Sequence, residues 1–183
     1  MKRTILTPPD FTGGALADVK QWLAITGPAQ DGTLARLVGA AAQACEAFTG
    51  TLPLEATCED VLPASREWQV LAARPVNAIL AVEGVPAEGP RFALSAEAHA
   101  IALDPDGSGR VRVMQPGAAG RVAVRYAAGY ASDWAALPET LRHGIVRLAA
   151  ELFRARDGEA PPGRILPAAV AALWHPWRRT RLA

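Results

Sequence analysis

The sequence predicts a mainly α fold with an inserted small antiparallel β subdomain (α+β), with helices at both ends of the chain. Three observations carry this. Apolar residues recur at three- and four-residue spacing early in the chain and again after Pro138. Between 51 and 130 the period shortens to two, broken by prolines and glycines at hairpin spacing. Apolar residues make up 50% of the chain and aromatics only 6%. The surplus is alanine, leucine and valine, which suits close-packed helices better than a deep aromatic pocket.

Residues 1–13 read as an arm, because Thr7-Pro8-Pro9 is extended and Gly13-Gly14 interrupts regular structure. A first helix is predicted over 15–26, with Leu16, Val19 and Leu23 on one face and Gly27-Pro28 as its stop. A second begins at Asp31 or Thr33. Leu34, Leu37, Ala41, Cys45 and Phe48 form its buried stripe, and Gly50 stands where a left-handed cap is wanted. Strands are predicted at 67–71, 78–82, 100–103, 110–114 and 121–126, the last two alternating arginine with valine. Helix returns at Pro138, a residue favoured at the first helical position, and Leu141, Ile145, Leu148 and Leu152 make its stripe. Asp157-Gly158 ends it and a tail helix starts near Pro167. The predicted organisation is an arm (1–13), a helical core (14–50 and 131–160), the β insertion (51–130) and a C-terminal docking tail (161–183).

A formal charge of +1 conceals a polarity. Residues 1–141 carry 11 Lys+Arg against 15 Asp+Glu, net −4, whereas 142–183 carry 8 arginines against 3 acids, net +5. An acidic body with a basic end suits head-to-tail contact or a polyanion. Two cysteines, Cys45 and Cys58, make no disulfide framework, so a reducing compartment is expected. No signal-length apolar run follows Met1-Lys2-Arg3 and nothing approaches the length of a membrane span, which predicts a soluble protein made in the cytoplasm.

Little in the chain points to catalysis, and no metal or cofactor is expected. His99, His143 and His175 are dispersed without metal-ligand spacing. Cys45 falls on a buried stripe and behaves as a small apolar residue, while Cys58 precedes Glu59-Asp60, which disfavours a thiolate. Asp104-Pro105-Asp106-Gly107-Ser108-Gly109 imitates the start of a calcium loop, yet position twelve is Gln115 instead of a bidentate glutamate. Asp-Gly and Ser-Gly are ordinary hairpin residues, so a turn is the better reading.

The C-terminal stretch stands out. Leu173-Trp174-His175-Pro176-Trp177-Arg178-Arg179-Thr180-Arg181-Leu182 concentrates tryptophan and arginine, the residues that most often carry binding energy at interfaces. Two readings compete: the indoles pack on their own domain while the arginines meet solvent, or the segment docks into a partner. The docking reading nominates Leu173, Trp174, Trp177, Arg178, Arg179, Arg181 and Leu182, with both indoles projecting beyond the Val170/Leu173 face.

Several short motifs, in order along nearly the whole chain, resemble the head–tail connector (adaptor) proteins of tailed bacteriophages and gene transfer agents. They are Leu16-Ala17-Asp18-Val19-Lys20-Gln21-Trp22-Leu23, the Phe48-Thr49-Gly50 helix end, Arg74-Pro75-Val76, Tyr126-Ala127-Ala128-Gly129-Tyr130, Leu137-Pro138-Glu139-Thr140-Leu141-Arg142 and the Trp/Arg tail. Departures from the family pattern fall at Ala64–Glu67 and at Phe153-Arg154-Ala155-Arg156. The resemblance implies a non-enzymatic subunit of a ring, a dodecamer, below the portal in the neck of a phage or gene transfer agent particle. It would be assembled in the bacterial cytoplasm, join head to tail and continue the DNA channel. Implied partners are the portal protein, the next neck or tail protein (stopper or terminator) and other copies of itself. Packaged DNA would be a passive neighbour, and no membrane is involved. The alternative is a small nucleic-acid-binding accessory protein using the basic C-terminal end, against which the acidic body argues. An enzyme is the least supported class, because no nucleophile–base or paired-carboxylate arrangement can be nominated.

Overall fold

The computed structural model describes residues 2–155 and 166–178. The chain forms two compact units, one of 1–9 with 55–130 and one of 10–54 with 131–183.

The helical unit holds α1 (Gly14–Leu23), α2 (Asp31–Thr49), α3 (Glu139–Ala155) and α4 (Ala168–Trp174). The predicted stripes are the packed faces except at Leu152, which is exposed near the end of α3. Val19, Leu34, Val38, Ala41, Cys45, Leu141, Ile145 and Ala149 are essentially inaccessible and belong to one core. Helix α1 stops three residues earlier than the sequence suggests, because Ala24 adopts a left-handed conformation (φ 56°) and its N–H returns to the Gln21 carbonyl. Gly50 closes α2 as expected: at φ 77° its N–H donates to the Glu46 carbonyl at 2.8 Å. Trp134 is 7% exposed and its indole N–H donates to Asp18 at 2.8 Å, tying the approach to α3 onto α1. Burial pushes the Cys45 thiol up to about 12, so it stays a neutral core group.

The β unit holds β1 (Lys2–Thr7), β2 (Ala56–Pro63), β3 (Gln69–Val70), β4 (Val76–Pro86), β5 (Phe92–Ala93), β6 (His99–Leu103), β7 (Gly109–Val113) and β8 (Ala119–Ala128). Five strands form a sheet in the order β1-β2-β8-β4-β5 and three form a second in the order β3-β7-β6. The strand pairs are antiparallel. Val122, Val124, Tyr126, Cys58 and Leu62 are buried beneath the larger sheet, and Val111 and Val113 beneath the smaller. The Asp104–Gly109 segment is the β6–β7 hairpin turn. The N–H groups of Asp104 and Gly107 pair with the carbonyls of Ser108 and Asp104, and Gly107 takes φ 79°.

The expectation of a mainly α protein is corrected: helix and strand are present in comparable amounts, 36% and 30%, which makes this an α+β fold. Two segments account for much of the difference. Lys2–Thr7, read as part of an arm, pairs with β2 as an edge strand. Strand β2 escaped prediction because Glu59 and Asp60 sit in its middle and break the apolar pattern, although both are buried. Each acid is accommodated differently. Glu59 accepts a hydrogen bond from Arg91 at 2.9 Å. Asp60 accepts one from the Ala72 N–H at 2.7 Å, and its other oxygen, Oδ1, has no partner among the described residues. Burial raises the Asp60 carboxyl above the usual carboxylate range, opposed in part by that N–H, by the Tyr126 hydroxyl and by Arg3.

Candidate docking surface at the carboxyl end

The amphipathic helix α3 is the seat of the C-terminal segment. Its buried row runs through Leu141, Gly144, Ile145 and Leu148. Gly144 leaves a notch in that row. A Cβ there would lie 2.1 Å from the Nε1 atom of Trp174 and 2.8 Å from its Cε2. The indole of Trp174 fills the notch, is 0% exposed, donates to the Leu141 carbonyl at 3.3 Å and lies 6.2 Å from the Phe48 ring. Fully burying one large side chain of this kind is worth roughly 1.5–3 kcal/mol or more. Trp174 therefore pins α4 to its own unit and does not project, which overturns the expected geometry for this residue.

Beyond Trp174 the chain makes one 3-10 turn, His175–Trp177, with Pro176 near its start. Trp177 is half-buried and its N–H donates to the Thr140 hydroxyl at 2.9 Å, at the first turn of α3. Leu173 is also half-buried, packed against the core. Arg178 adopts an extended conformation and is exposed, with its guanidinium carbon 5.5 Å above the Phe48 ring. Arg179, Arg181 and Leu182 lie outside the described residues. Leu173, Trp174, Trp177 and Arg178 thus gather over α3 and Phe48, with His175, Pro176 and Arg178 forming the exposed rim.

Sequence reasoning overlooked Thr140, Gly144 and Phe48 as the receptors of this segment. One signal was available: Gly144 interrupts a strong helix on its apolar stripe, a position where glycine costs about 1 kcal/mol relative to alanine. Such a glycine implies a close neighbour.

The remaining candidates do not converge. His99 Nδ1 lies 2.9 Å from the Ser95 carbonyl, His143 meets the edge of Trp22 at a centroid distance of 5.2 Å, and His175 is on the rim. In the β6–β7 turn the acids already have partners: Asp104 accepts from Arg110 at 2.7 Å, and Asp106 accepts from the Ser108 N–H at 2.8 Å. Among the described residues no three His, Cys, Asp or Glu side chains are grouped as a metal site, and no helix is long and apolar enough to cross a membrane.

No protein-family model matches the sequence, and no curated protein matches it. Solved structures do. The chain is similar to a chain in the neck of an empty gene transfer agent (GTA) particle computed with C6 symmetry. The TM-score is 0.80 and the identity 27%, covering 100% of this chain and 98% of that one. It is also similar to a chain of the virion of a native gene transfer agent particle, with TM-score 0.76, 28% identity and the same coverage. A third similar chain is in the neck of a native GTA particle computed with C12 symmetry, with TM-score 0.77, 25% identity and the same coverage.

Proposed function

We propose that this protein is a structural subunit of the neck of a gene transfer agent particle. The observation that carries this reading is the end-to-end likeness to the neck chain at TM-score 0.80, with both chains covered almost completely. A shared domain alone would leave one chain partly uncovered. The C6 and C12 symmetry of the similar assemblies supports a ring of copies.

The finer proposal is an adaptor role. The protein sits as a non-enzymatic ring below the portal, continues the DNA channel and presents a platform to the next neck or tail protein. The order of its motifs supports this, as does the C-terminal segment. In that role Trp174 holds α4 in place, and the docking group is the half-buried Leu173 and Trp177 and the exposed Arg178, together with Arg179, Arg181 and Leu182. Truncation should therefore spare Trp174. A chain ending at His175, which keeps Trp174 but lacks Trp177 and the three arginines, is expected to keep its fold while failing to join portal-containing heads, which accumulate filled and tailless. A truncated chain that attaches normally refutes the anchor, and absence of the full-length protein from purified particles refutes the neck assignment.

A further inference from the structure

The solvent face of the three-stranded sheet carries a group that neither the neck reading nor the C-terminal rim uses. Registers Val70↔Arg110, Ala102↔Arg110 and Ala100↔Arg112 place these side chains on one face, opposite the buried Val111 and Val113. Trp68 lies across it. The guanidinium carbons of Arg110 and Arg112 stand 5.6 and 4.7 Å from the indole centroid, while Trp68 remains 38% and Val70 40% exposed. The two arginines differ in one respect. Arg110 is paired with Asp104 at 2.7 Å, whereas Arg112 has no carboxylate partner among the described residues. The Nε atoms of both are shielded from solvent and make no hydrogen bond. A half-exposed indole with a stacked, unpaired guanidinium has the composition of an interface anchor.

We propose that this face docks an acidic segment of a second copy of the chain, forming a subunit contact within the ring. The inference rests on the neck reading for the existence of a ring. Charge chooses the class of partner. A surface for nucleic-acid phosphate needs several unpaired cations in a row, but here Asp104 neutralises Arg110 and Glu67 is exposed beside Trp68, leaving Arg112 alone. A single fork between an indole and apolar neighbours matches one carboxylate in a protein surface instead. A second copy offers such groups. Residues 1–141 carry net −4, and Glu88 and Glu97 are exposed with no partner among the described residues. A contact between two different patches of the same chain is the heterologous kind that closes into rings.

The test uses assembled particles. A photo-crosslinking benzoylphenylalanine is placed at Val70 and, in a separate variant, at Trp68, with exposed Leu80 as a background position. Irradiation is expected to give a covalent dimer of this chain from positions 70 and 68, whose cross-linked peptide contains a glutamate or aspartate. Adding Arg112→Glu to the Val70 variant is expected to cut the dimer yield about ten-fold or more, as for loss of an interface anchor; Arg112→Lys is expected to cut it less. Protein present in particles that cross-links at these positions to DNA, to a different particle protein or to nothing overturns this inference and leaves the neck reading standing. Protein missing from particles overturns both.

Discussion

The seat of Trp174 yields a prediction whose sign is opposite to the usual rule. Replacing a mid-helix glycine by alanine in an open position stabilises a protein by about 1 kcal/mol, through helix propensity and a less flexible unfolded chain. Gly144 lies within α3, but an added Cβ would meet Trp174 Nε1 at 2.1 Å, Cε2 at 2.8 Å and Cδ1 at 2.9 Å. The indole is fully buried and in ring contact with Phe48, and close-packed interiors yield little to an added methyl group. Overpacking of this kind costs about 1–3 kcal/mol, and expulsion of the indole approaches the roughly 3–5 kcal/mol of a Trp→Ala change. After the propensity gain, Gly144→Ala is expected to destabilise by about 1–3 kcal/mol. At roughly 2–4 °C per kcal/mol for a chain of this size, the melting temperature falls by about 2–12 °C. Thermal unfolding followed by circular dichroism measures this. In a Trp174→Ala background the clash is gone, so the same substitution should be neutral or stabilising, and this non-additivity identifies the contact. A Gly144→Ala protein that melts higher than the parent would refute the packing of α4 on α3.

Three further outcomes are expected. The buried Asp60 binds its proton more tightly folded than unfolded, so its contribution to stability is fully present below the ordinary carboxylate value and is lost as pH rises toward the raised folded value. Asp60→Asn should therefore gain stability relative to the parent as pH rises through that window; a pH-independent difference in chemical denaturation would contradict the burial argument. Gly109→Ala should destabilise the β unit by about 1–3 kcal/mol, because its Cβ would lie 2.8 Å from Val76 and 2.9 Å from Leu71; an unchanged melting temperature would argue against that packing. Calcium titration should give no saturable heat, since Asp104 and Asp106 are already bonded to Arg110 and the Ser108 N–H; a saturable heat abolished by Asp106→Ala would reverse the turn assignment.

The helical unit was legible in the chain because local rules govern it. Leu34, Ala41 and Cys45, or Leu141, Ile145 and Leu148, mark a buried face by spacing alone, and Gly50 marks a helix end by the conformation it permits. The hairpin at Asp104–Gly109 was legible for the same reason. Strands β1 and β2 were not. Their stability comes from pairing across long stretches of sequence, Arg3 with Asp60 and Asp60 with Val124, and no local pattern announces a partner so distant. Burial of Glu59 and Asp60 depends on Arg91 and on the Ala72 N–H, contacts that exist only once the chain has folded.

At the carboxyl end, composition alone shows two tryptophans and a run of arginines that must be placed somewhere of consequence. How that task is divided between them depends on the folded packing. Gly144 on α3 leaves the space that the Trp174 indole fills, so Trp174 is drawn into the core, whereas Trp177 donates to the Thr140 hydroxyl and stays half-buried beside Arg178. The two residues are chemically identical. What separates them is the free volume that a distant glycine leaves, and composition carries no record of it.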